Sequence, residues 1–197
     1  MRIRTATTDD ARAVEQLRLR TWQVAYAGLV PESVLRARQV TDESLARWVT
    51  RLGDRTVSTG VADHDNTVGT VGTVGTVETV ETVETVETVE TVETVETVET
   101  VERVDTVDII GMAVAGPCRD PDLLGSRELY ALYVDAGSWG GGTGSALLAA
   151  AGAVEVLWVL EGNTRARAFY GRHGFAADGE RKVLDLGGPV VEVRYRR

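Results

Sequence analysis

Runs of apolar residues, separated by polar or glycine-rich segments, predict strands and helices in alternation along this chain. The predicted strands cover residues 2–5, 55–62, 108–116, 128–134, 156–160, 180–186 and 190–196. Thr8 should cap a first helix that runs to about Tyr26, and Pro31 should open a short second helix at its first position. Thr41 should cap a third helix that ends near Gly53.

Two more helices are predicted in the second half of the chain. A short helix over 145–151 follows a glycine-rich turn. A longer helix covers 164–173, with Asn163 as its N-cap and Gly174 just past its end, where glycine commonly stops a helix. The last two strands should form a hairpin through Gly187-Gly-Pro189.

Residues 67–108 form a repeat of period three: three Thr-Val-Gly units, nine Thr-Val-Glu units, then Arg-Val-Asp and Thr-Val-Asp. Successive valines would advance by about 300° on a helix and alternate between faces on a strand, so neither element gains a continuous apolar side. The many β-branched residues favour extended structure over helix. We interpret the repeat as an elongated loop, disordered or an extended β-ribbon, inserted between strands two and three of a single domain, 1–197. An acidic interaction arm is the functional alternative.

The net charge of −9 comes from this repeat. Residues 67–108 carry nine Glu, two Asp and one Arg, whereas the remainder has 20 basic and 19 acidic residues. The remainder therefore gives no indication of nucleic acid binding. One cysteine and two histidines predict neither a disulfide framework nor a metal site. The longest apolar run, 146–154, is too short to span a bilayer and no apolar signal segment begins the chain, which predicts a cytoplasmic protein with no membrane partner.

The most informative segment is Leu132-Tyr-Val-Asp-Ala-Gly-Ser-Trp-Gly-Gly-Gly-Thr-Gly-Ser145, a strand that leads through a glycine turn into a helix. The glycines at 140, 141, 142 and 144 permit positive φ and let backbone N–H groups converge. The helix that follows adds free N–H groups and the positive end of its dipole. The segment therefore predicts a main-chain socket for a phosphate or pyrophosphate.

Two other kinds of phosphate loop fit this segment poorly. A P-loop is excluded because no Gly-Lys-Ser/Thr closes the turn. A dinucleotide site could use Gly140-x-Gly142-x-x-Ser145, with Glu161 as the ribose ligand. That match lacks the third glycine, and five residues separate the strand from the first glycine. Because a glycine loop alone is weak evidence, the interpretation depends on what lies downstream.

Downstream is a second block, Val156-Leu-Trp-Val-Leu-Glu-Gly-Asn163-Thr-Arg-Ala-Arg-Ala-Phe-Tyr170-Gly-Arg-His-Gly-Phe175. Both blocks together resemble the GCN5-related N-acetyltransferase (GNAT) superfamily. Trp139-Gly-Gly-Gly142-Thr-Gly144 matches its acyl-CoA loop, Gln/Arg-x-x-Gly-x-Gly/Ala, except at Trp139. Asn163 and Tyr170-Gly-Arg-His-Gly174-Phe175 match its second motif, and the segments 3–10 and 26–31 resemble its first strand and helices. The resemblance covers everything except residues 67–108.

The resemblance implies an α/β (α+β) fold: a mixed, mostly antiparallel sheet of about seven strands flanked by helices. It also implies acetyl-CoA as cosubstrate, with no metal. The residues expected to hold acetyl-CoA are Leu132, Tyr133, Val134, Trp139, Gly140, Gly141, Gly142, Thr143, Gly144, Ser145 and Asn163. One departure concerns the helix after the glycine loop, which is about two turns shorter than in relatives.

Two residues are the candidates for catalysis. A thioester must be attacked by a neutral amine, so a carboxylate that accepts the amine's proton assists the reaction. Glu128 matches the position of the base in histone-type relatives, and its alternative is a solvated glutamate at the start of a strand. Tyr170 resembles the residue that protonates the departing thiolate, and its alternative is a core aromatic. Trp22 and Tyr26, one turn apart, could line the acceptor pocket, although helix core is the simpler reading.

The sequence thus predicts an acyl-CoA-dependent N-acetyltransferase acting on a small-molecule or peptide amine. A non-catalytic CoA-binding protein is the second hypothesis, and a repeat-mediated interaction protein is the third. The acceptor cannot be read from the sequence, and the oligomeric state stays open, with a homodimer as one possibility.

Overall fold

A computed structural model of the protein describes residues 1–64 and 108–197. Within these ranges seven strands form one sheet in the order β1-β2-β3-β4-β5-β7-β6, and β4–β5 is the parallel pair. The strands are β1 (Arg2–Thr5), β2 (Ser58–Asp63), β3 (Ile109–Pro117), β4 (Arg127–Val134), β5 (Val156–Leu160), β6 (Ala176–Asp185) and β7 (Pro189–Arg196). The mixed, mostly antiparallel sheet expected from the sequence is confirmed. The predicted insertion over 67–108 lies, except for Asp108, outside the described residues.

The helices also occur in the predicted order. They are α1 (Ala11–Ala25), α2 (Glu32–Ala37), α3 (Asp42–Gly53), α4 (Thr143–Ala150) and α5 (Thr164–Arg172). Thr41 and Asn163 cap α3 and α5 as predicted, because their side chains accept hydrogen bonds from the N–H groups of Ser44 and Ala166.

The start of the first helix differs from the prediction. The N-cap position of α1 is Asp10, and a 3₁₀ turn over Thr8–Asp10, which Thr7 caps, precedes the helix. The reason is the carboxylate of Asp10, which accepts a hydrogen bond of 2.7 Å from the Thr7 N–H. Pro31 likewise lies one residue before α2 and not at its first position.

The parallel strands β4 and β5 pair over a short distance and then separate. Their register consists of Glu128 opposite Val156 and Leu129 opposite Leu157. Beyond this point β4 continues to pair with β3 as far as Val134, and β5 continues with β7 as far as Leu160. The sheet therefore opens into a V between the C-terminal halves of β4 and β5.

Apolar side chains on both faces of the sheet form the core. On one face α4 and α5 pack against the central strands, with Leu147 and Leu157 almost fully buried. On the other face α1 and α3 pack on β2 and β3 through residues such as Leu17 and Met112. Gly111 lets the short α4 approach closely, because a Cβ there would lie 2.7 Å from Leu147 Cδ1. The short helix thus still covers the sheet.

Two buried carboxylates connect the first helices and strands. Glu15 on α1 accepts hydrogen bonds from Arg18 and from the Trp48 indole on α3, both at 2.7 Å. Asp63 at the end of β2 accepts one of 2.9 Å from Arg4 on β1. Burial acts to raise the pKa of each carboxyl, but these hydrogen bonds and charges outweigh it, so both pKa values lie below the ordinary range.

Candidate active site

The V between β4 and β5 continues into a cleft of about 850 Å³. The walls come from the C-terminal half of β4, the glycine loop with the start of α4, the β5–α5 turn with α5, and the end of α1. Of the residues predicted from the sequence, those that line it are Leu132, Tyr133, Val134, Trp139, Gly140, Gly142, Gly144, Ser145, Asn163 and Tyr170. The fold therefore brings both sequence motifs to one site, although they are far apart in the chain.

The glycine loop has the backbone conformation that its sequence demands at two positions. Gly140 has a φ of 79° and Gly142, which caps α4, has a φ of 86°, values that side chains other than glycine rarely adopt. Gly144 is needed for a different reason, since a Cβ there would lie 3.3 Å from the ring of Phe169. The first intrahelical hydrogen bond runs from Ala146 N–H to Gly142 O, so the N–H groups of residues 143–145 lack a partner within the helix.

Trp139 takes the place of the polar residue that usually begins the acyl-CoA loop. Its indole Nε1–H donates a hydrogen bond of 2.8 Å to the carbonyl oxygen of Val134, which ties the loop to the end of β4. The guanidinium of Arg165 on α5 lies 3.6 Å from the centroid of the Trp139 ring. Trp139 therefore fixes the loop between β4 and α5, and it holds the positive charge of Arg165 beside the glycine loop.

Asn163 begins α5 directly beside the opening between the strands. Its side-chain oxygen accepts a hydrogen bond of 3.0 Å from Ala166 N–H, so the capping role predicted for it is confirmed. Gly162, next to it, leaves room for the side chain of Leu29, which would lie 2.6 Å from a Cβ at that position. This contact brings the segment between α1 and α2 to the cleft, where Leu29 also lines the wall.

Tyr170 projects from α5 into the cleft. The ring is buried and packs edge-to-face on Phe169 and Phe175. In the described parts of the chain, no group forms a hydrogen bond with its hydroxyl. Burial is the main cause that raises the pKa of Tyr170 well above that of a free phenol, and the nearby Tyr133 is the second cause. The hydroxyl is therefore protonated at neutral pH and free to donate a hydrogen bond to a ligand.

Trp22 and Tyr26 lie behind the cleft wall and not on its surface. The Trp22 indole donates a hydrogen bond of 2.9 Å to the hydroxyl of Tyr133, and the rings of Trp22 and Tyr26 stack edge-to-face at 4.9 Å. Burial, together with the neighbouring phenols Tyr133 and Tyr170, raises the pKa of Tyr26. Trp22 and Tyr26 thus support Tyr133, which is the member of this group that lines the cleft.

Glu128 is not part of the cleft wall. It begins β4 at the closed end of the V, and its side chain is almost completely buried. Its carboxylate accepts hydrogen bonds from the N–H and the guanidinium Nε of Arg119, at 3.0 and 3.1 Å, and a further one from Nη2. The fold therefore separates Glu128 from Tyr170 and engages its carboxylate with Arg119.

Several cleft residues were given no functional role by the sequence interpretation. Among them are Arg165 and Phe169 on α5 and His173 directly after its end. Sequence reasoning treated His173 only as a helix-end residue. A signal was present, because these residues lie at spacings of four and therefore form one stripe along the helix.

Comparisons with known proteins agree with this arrangement. Residues 100–177 match the family profile described as Acetyltransferase (GNAT) domain. That range spans β3, β4, the glycine loop and α5, the elements that form most of the cleft. This part of the chain is therefore similar to a GNAT acetyltransferase domain.

Solved GNAT structures show the same fold at low sequence identity. One is the PaiA N-acetyltransferase from Thermoplasma acidophilum in complex with coenzyme A, at 15% identity and a TM-score of 0.61, covering 100% of this chain and 98% of that one. Another is a ribosomal-protein-alanine N-acetyltransferase from Brucella melitensis, at 19% identity and a TM-score of 0.60, covering 100% and 99%. A GCN5-related N-acetyltransferase from Kribbella flavida matches at 17% identity with a TM-score of 0.55, covering 100% and 96%.

No curated protein matches the sequence. The helices within residues 1–64 and 108–197 are all too short or too polar to cross a lipid bilayer.

Proposed function

We propose that this protein is an N-acetyltransferase that moves the acetyl group of acetyl-CoA to an amine by direct attack. The observation that supports this most is the position of Tyr170. Its free hydroxyl lies in the same cleft as the glycine loop, at the opening between β4 and β5. A phosphate socket at one part of a cleft and a proton donor at another are what thioester chemistry on a CoA carrier requires.

In this proposal the cofactor CoA binds along the cleft. The pyrophosphate would bind the N–H groups of residues 140–145, and Arg165 and Arg172 would add positive charge. The pantetheine arm would follow β4, whose separation from β5 exposes backbone groups at Leu132 and Val134, as in strand addition. The complex of the Thermoplasma PaiA structure with coenzyme A supports this assignment by fold.

The reaction would proceed in one displacement. The amine nitrogen attacks the thioester carbonyl carbon, the carbon–sulfur bond breaks, and the amine loses a proton as CoA leaves as a thiol. Because burial raises the pKa of Tyr170 further above that of a thiol, complete proton transfer from the phenol is uphill. We therefore assign Tyr170 the role of donating a hydrogen bond to the developing thiolate. The Tyr170 proton moves to the sulfur only as the amine releases its own proton.

The amine's proton needs an acceptor. Glu128 remains the candidate from the resemblance, but its carboxylate would have to act from behind the cleft while bound to Arg119. The acceptor, a small-molecule or peptide amine, would approach along the α1–α2 segment near Leu29, with Trp22 and Tyr26 supporting that wall through Tyr133.

Turnover of acetyl-CoA tests the proposal. The purified protein is incubated with acetyl-CoA and a panel of small amines, antibiotics, peptide N-termini and lysine peptides, while free thiol and acetylated product are both measured. We expect stoichiometric thiol and amide with at least one class. Thiol release without amide would indicate thioester hydrolysis and would contradict the proposal.

A CoA-binding protein without catalysis is the second candidate. The engagement of Glu128 with Arg119 favours it, because this arrangement leaves the cleft without the predicted base. Tight CoA binding by calorimetry, combined with no amide formation across the whole panel, is the result that would favour this candidate over the enzyme.

A further inference from the structure

His173 connects the end of α5 to the start of α4 through two hydrogen bonds. Its Nδ1 lies 2.9 Å from the carbonyl oxygen of Phe169, and its Nε2 lies 3.0 Å from the hydroxyl oxygen of Ser145. Both His173 and Ser145 line the cleft, and Ser145 belongs to the first turn of α4, in the predicted pyrophosphate socket. His173 is thus hydrogen-bonded to a hydroxyl in the predicted pyrophosphate socket.

The direction of each hydrogen bond follows from the chemistry of the partners. A carbonyl oxygen can only accept, so Nδ1 of His173 carries a hydrogen. In the neutral ring Nε2 is then an acceptor, and it takes the hydrogen of the Ser145 hydroxyl. When the ring is protonated, Nε2–H donates to Ser145 Oγ instead. The hydroxyl hydrogen of Ser145 is then released and can turn toward the cleft.

We propose that His173 is a positioning residue for CoA: its protonation frees the Ser145 hydroxyl to donate to the pyrophosphate and adds a positive charge beside it. The inference rests on the proposed CoA site and names a regulation of that site by pH. It concerns cofactor affinity and assigns no step of acetyl transfer to His173.

The surroundings of His173 suit this role. The charged groups that contact it or line the cleft beside it are Arg165 and Arg172 on α5, and Arg197, which donates a hydrogen bond to the His173 carbonyl. The residues of α4 and the loop from 139 to 142 carry no charge. Across the described ranges no carboxylate forms an ion pair with His173. A bound pyrophosphate would be the negative charge next to the ring, so protonation and binding favour each other.

Packing holds the pair in place. The ring of His173 lies 4.4 Å from that of Phe169, centroid to centroid, and the Phe169 ring lies so close to Gly144 that a Cβ there would be 3.3 Å from it. The imidazole therefore keeps its position against α4 in either protonation state, and the change is confined to the hydrogen between Nε2 and Ser145.

The test measures the affinity of 3′-dephospho-CoA by calorimetry between pH 5.5 and 8.5. This ligand is chosen because the 3′-phosphate of CoA itself titrates near pH 6. The wild-type protein should bind it about fivefold to tenfold more tightly at pH 5.5 than at pH 8.5, with proton uptake visible in buffers of different ionisation enthalpy. His173→Gln should remove most of this dependence. Ser145→Ala should weaken binding at pH 5.5 and change it little at pH 8.5.

His64→Gln is the matched control, because His64 is the other histidine of the chain and lies at the end of β2, outside the cleft. It should retain the full pH dependence. The inference is wrong if His173→Gln binds with the wild-type pH dependence, or if the Ser145→Ala loss is equal at both pH values. Failure of the CoA site itself would look different, since no variant and no wild-type protein would bind the ligand at any pH.

Discussion

Glu128 and Arg119 form a closed ion pair in which both carboxylate oxygens of Glu128 face the Arg119 guanidinium. The carboxylate is almost fully buried, whereas the Arg119 side chain is largely exposed. Arg119 also lies over the ring of Tyr130, 4.3 Å from its centroid. The pair thus connects the start of β4 to the loop that follows β3. Mutation of each partner can separate a catalytic role of Glu128 from its contribution to stability.

Glu128→Gln should lower the free energy of unfolding by about 1–3 kcal/mol, measured by urea denaturation, because the pair is buried on one side and solvated on the other. Arg119→Gln should have a similar effect on stability and serves as the control. If Glu128 is the base, the activity of Glu128→Gln falls and recovers as pH rises, while Arg119→Gln stays active. Equal activities in the two variants would exclude Glu128 from catalysis.

Gly142→Glu should weaken CoA binding by about a hundredfold, measured by calorimetry, because it adds bulk and negative charge at the phosphate socket. Gly179→Glu is the matched control. Gly179 also has a positive φ, 101°, and open space around its Cβ position, but it lies on β6 outside the cleft. Both glycines have a positive φ and open space at the Cβ position, so a similar loss of affinity in the two variants would disprove the assignment of the socket.

Tyr170→Phe should keep CoA affinity near the wild-type value, since the ring and its packing remain. The turnover number should fall by a factor on the order of 10², because the hydrogen bond that stabilises the departing thiolate is lost. The factor is modest because a thiolate already leaves well. Tyr195→Phe is a suitable control, since Tyr195 is also a buried core tyrosine but its hydroxyl accepts a hydrogen bond from Arg167. Full activity in Tyr170→Phe would remove this residue from the mechanism.

Asp63→Asn should destabilise the protein at pH 7, and the difference from the wild type should shrink as the pH falls below about 4. Burial acts to raise the pKa of Asp63, yet the hydrogen bonds from Arg2 and Arg4 outweigh it and lower that pKa. A lowered pKa contributes stability above about pH 4, the unfolded value, and this stability is lost as pH falls through the folded value. Melting temperatures of variant and wild type should therefore converge on acidification. A difference in melting temperature that stays constant with pH would show that the stabilisation does not depend on the ionised form of Asp63.

Deletion of residues 70–105 should leave a folded protein with similar CoA affinity. Asp63 and Ile109 are paired across the antiparallel strands β2 and β3, so residues 64–69 and 106–108 suffice to connect them. Loop length changes closure entropy only slowly. Circular dichroism and calorimetry would check this, with concentration-dependent association measured in parallel. Loss of the melting transition would show that the repeat belongs to the fold, and loss of association would support an interaction role.

The order of strands and helices could be predicted from the sequence, because the local sequence signals were strong. The cap at Thr41, the cap at Asn163 and the glycines of the loop act within a few residues of their own positions, so their effects can be read from spacing. The resemblance carried by the two motifs also predicted the mixed, mostly antiparallel sheet. Where a reciprocal contact decided the outcome, as in the hydrogen bond from the Thr7 N–H to Asp10 before α1, the predicted cap at Thr8 was wrong.

Which polar groups form hydrogen bonds, and which do not, could be read from the tertiary structure alone. The partners of Glu128, Trp139 and His173 are Arg119, the Val134 carbonyl and the Ser145 hydroxyl, and each lies on a different element. Periodicity reports which face of an element is apolar, but it does not report which hydrogen-bond partner another element brings to that face. For this reason sequence reasoning did not reveal the ion pair at Glu128, whereas the fold shows it directly. Among the described residues the fold also leaves the Tyr170 hydroxyl in the cleft without a hydrogen-bond partner.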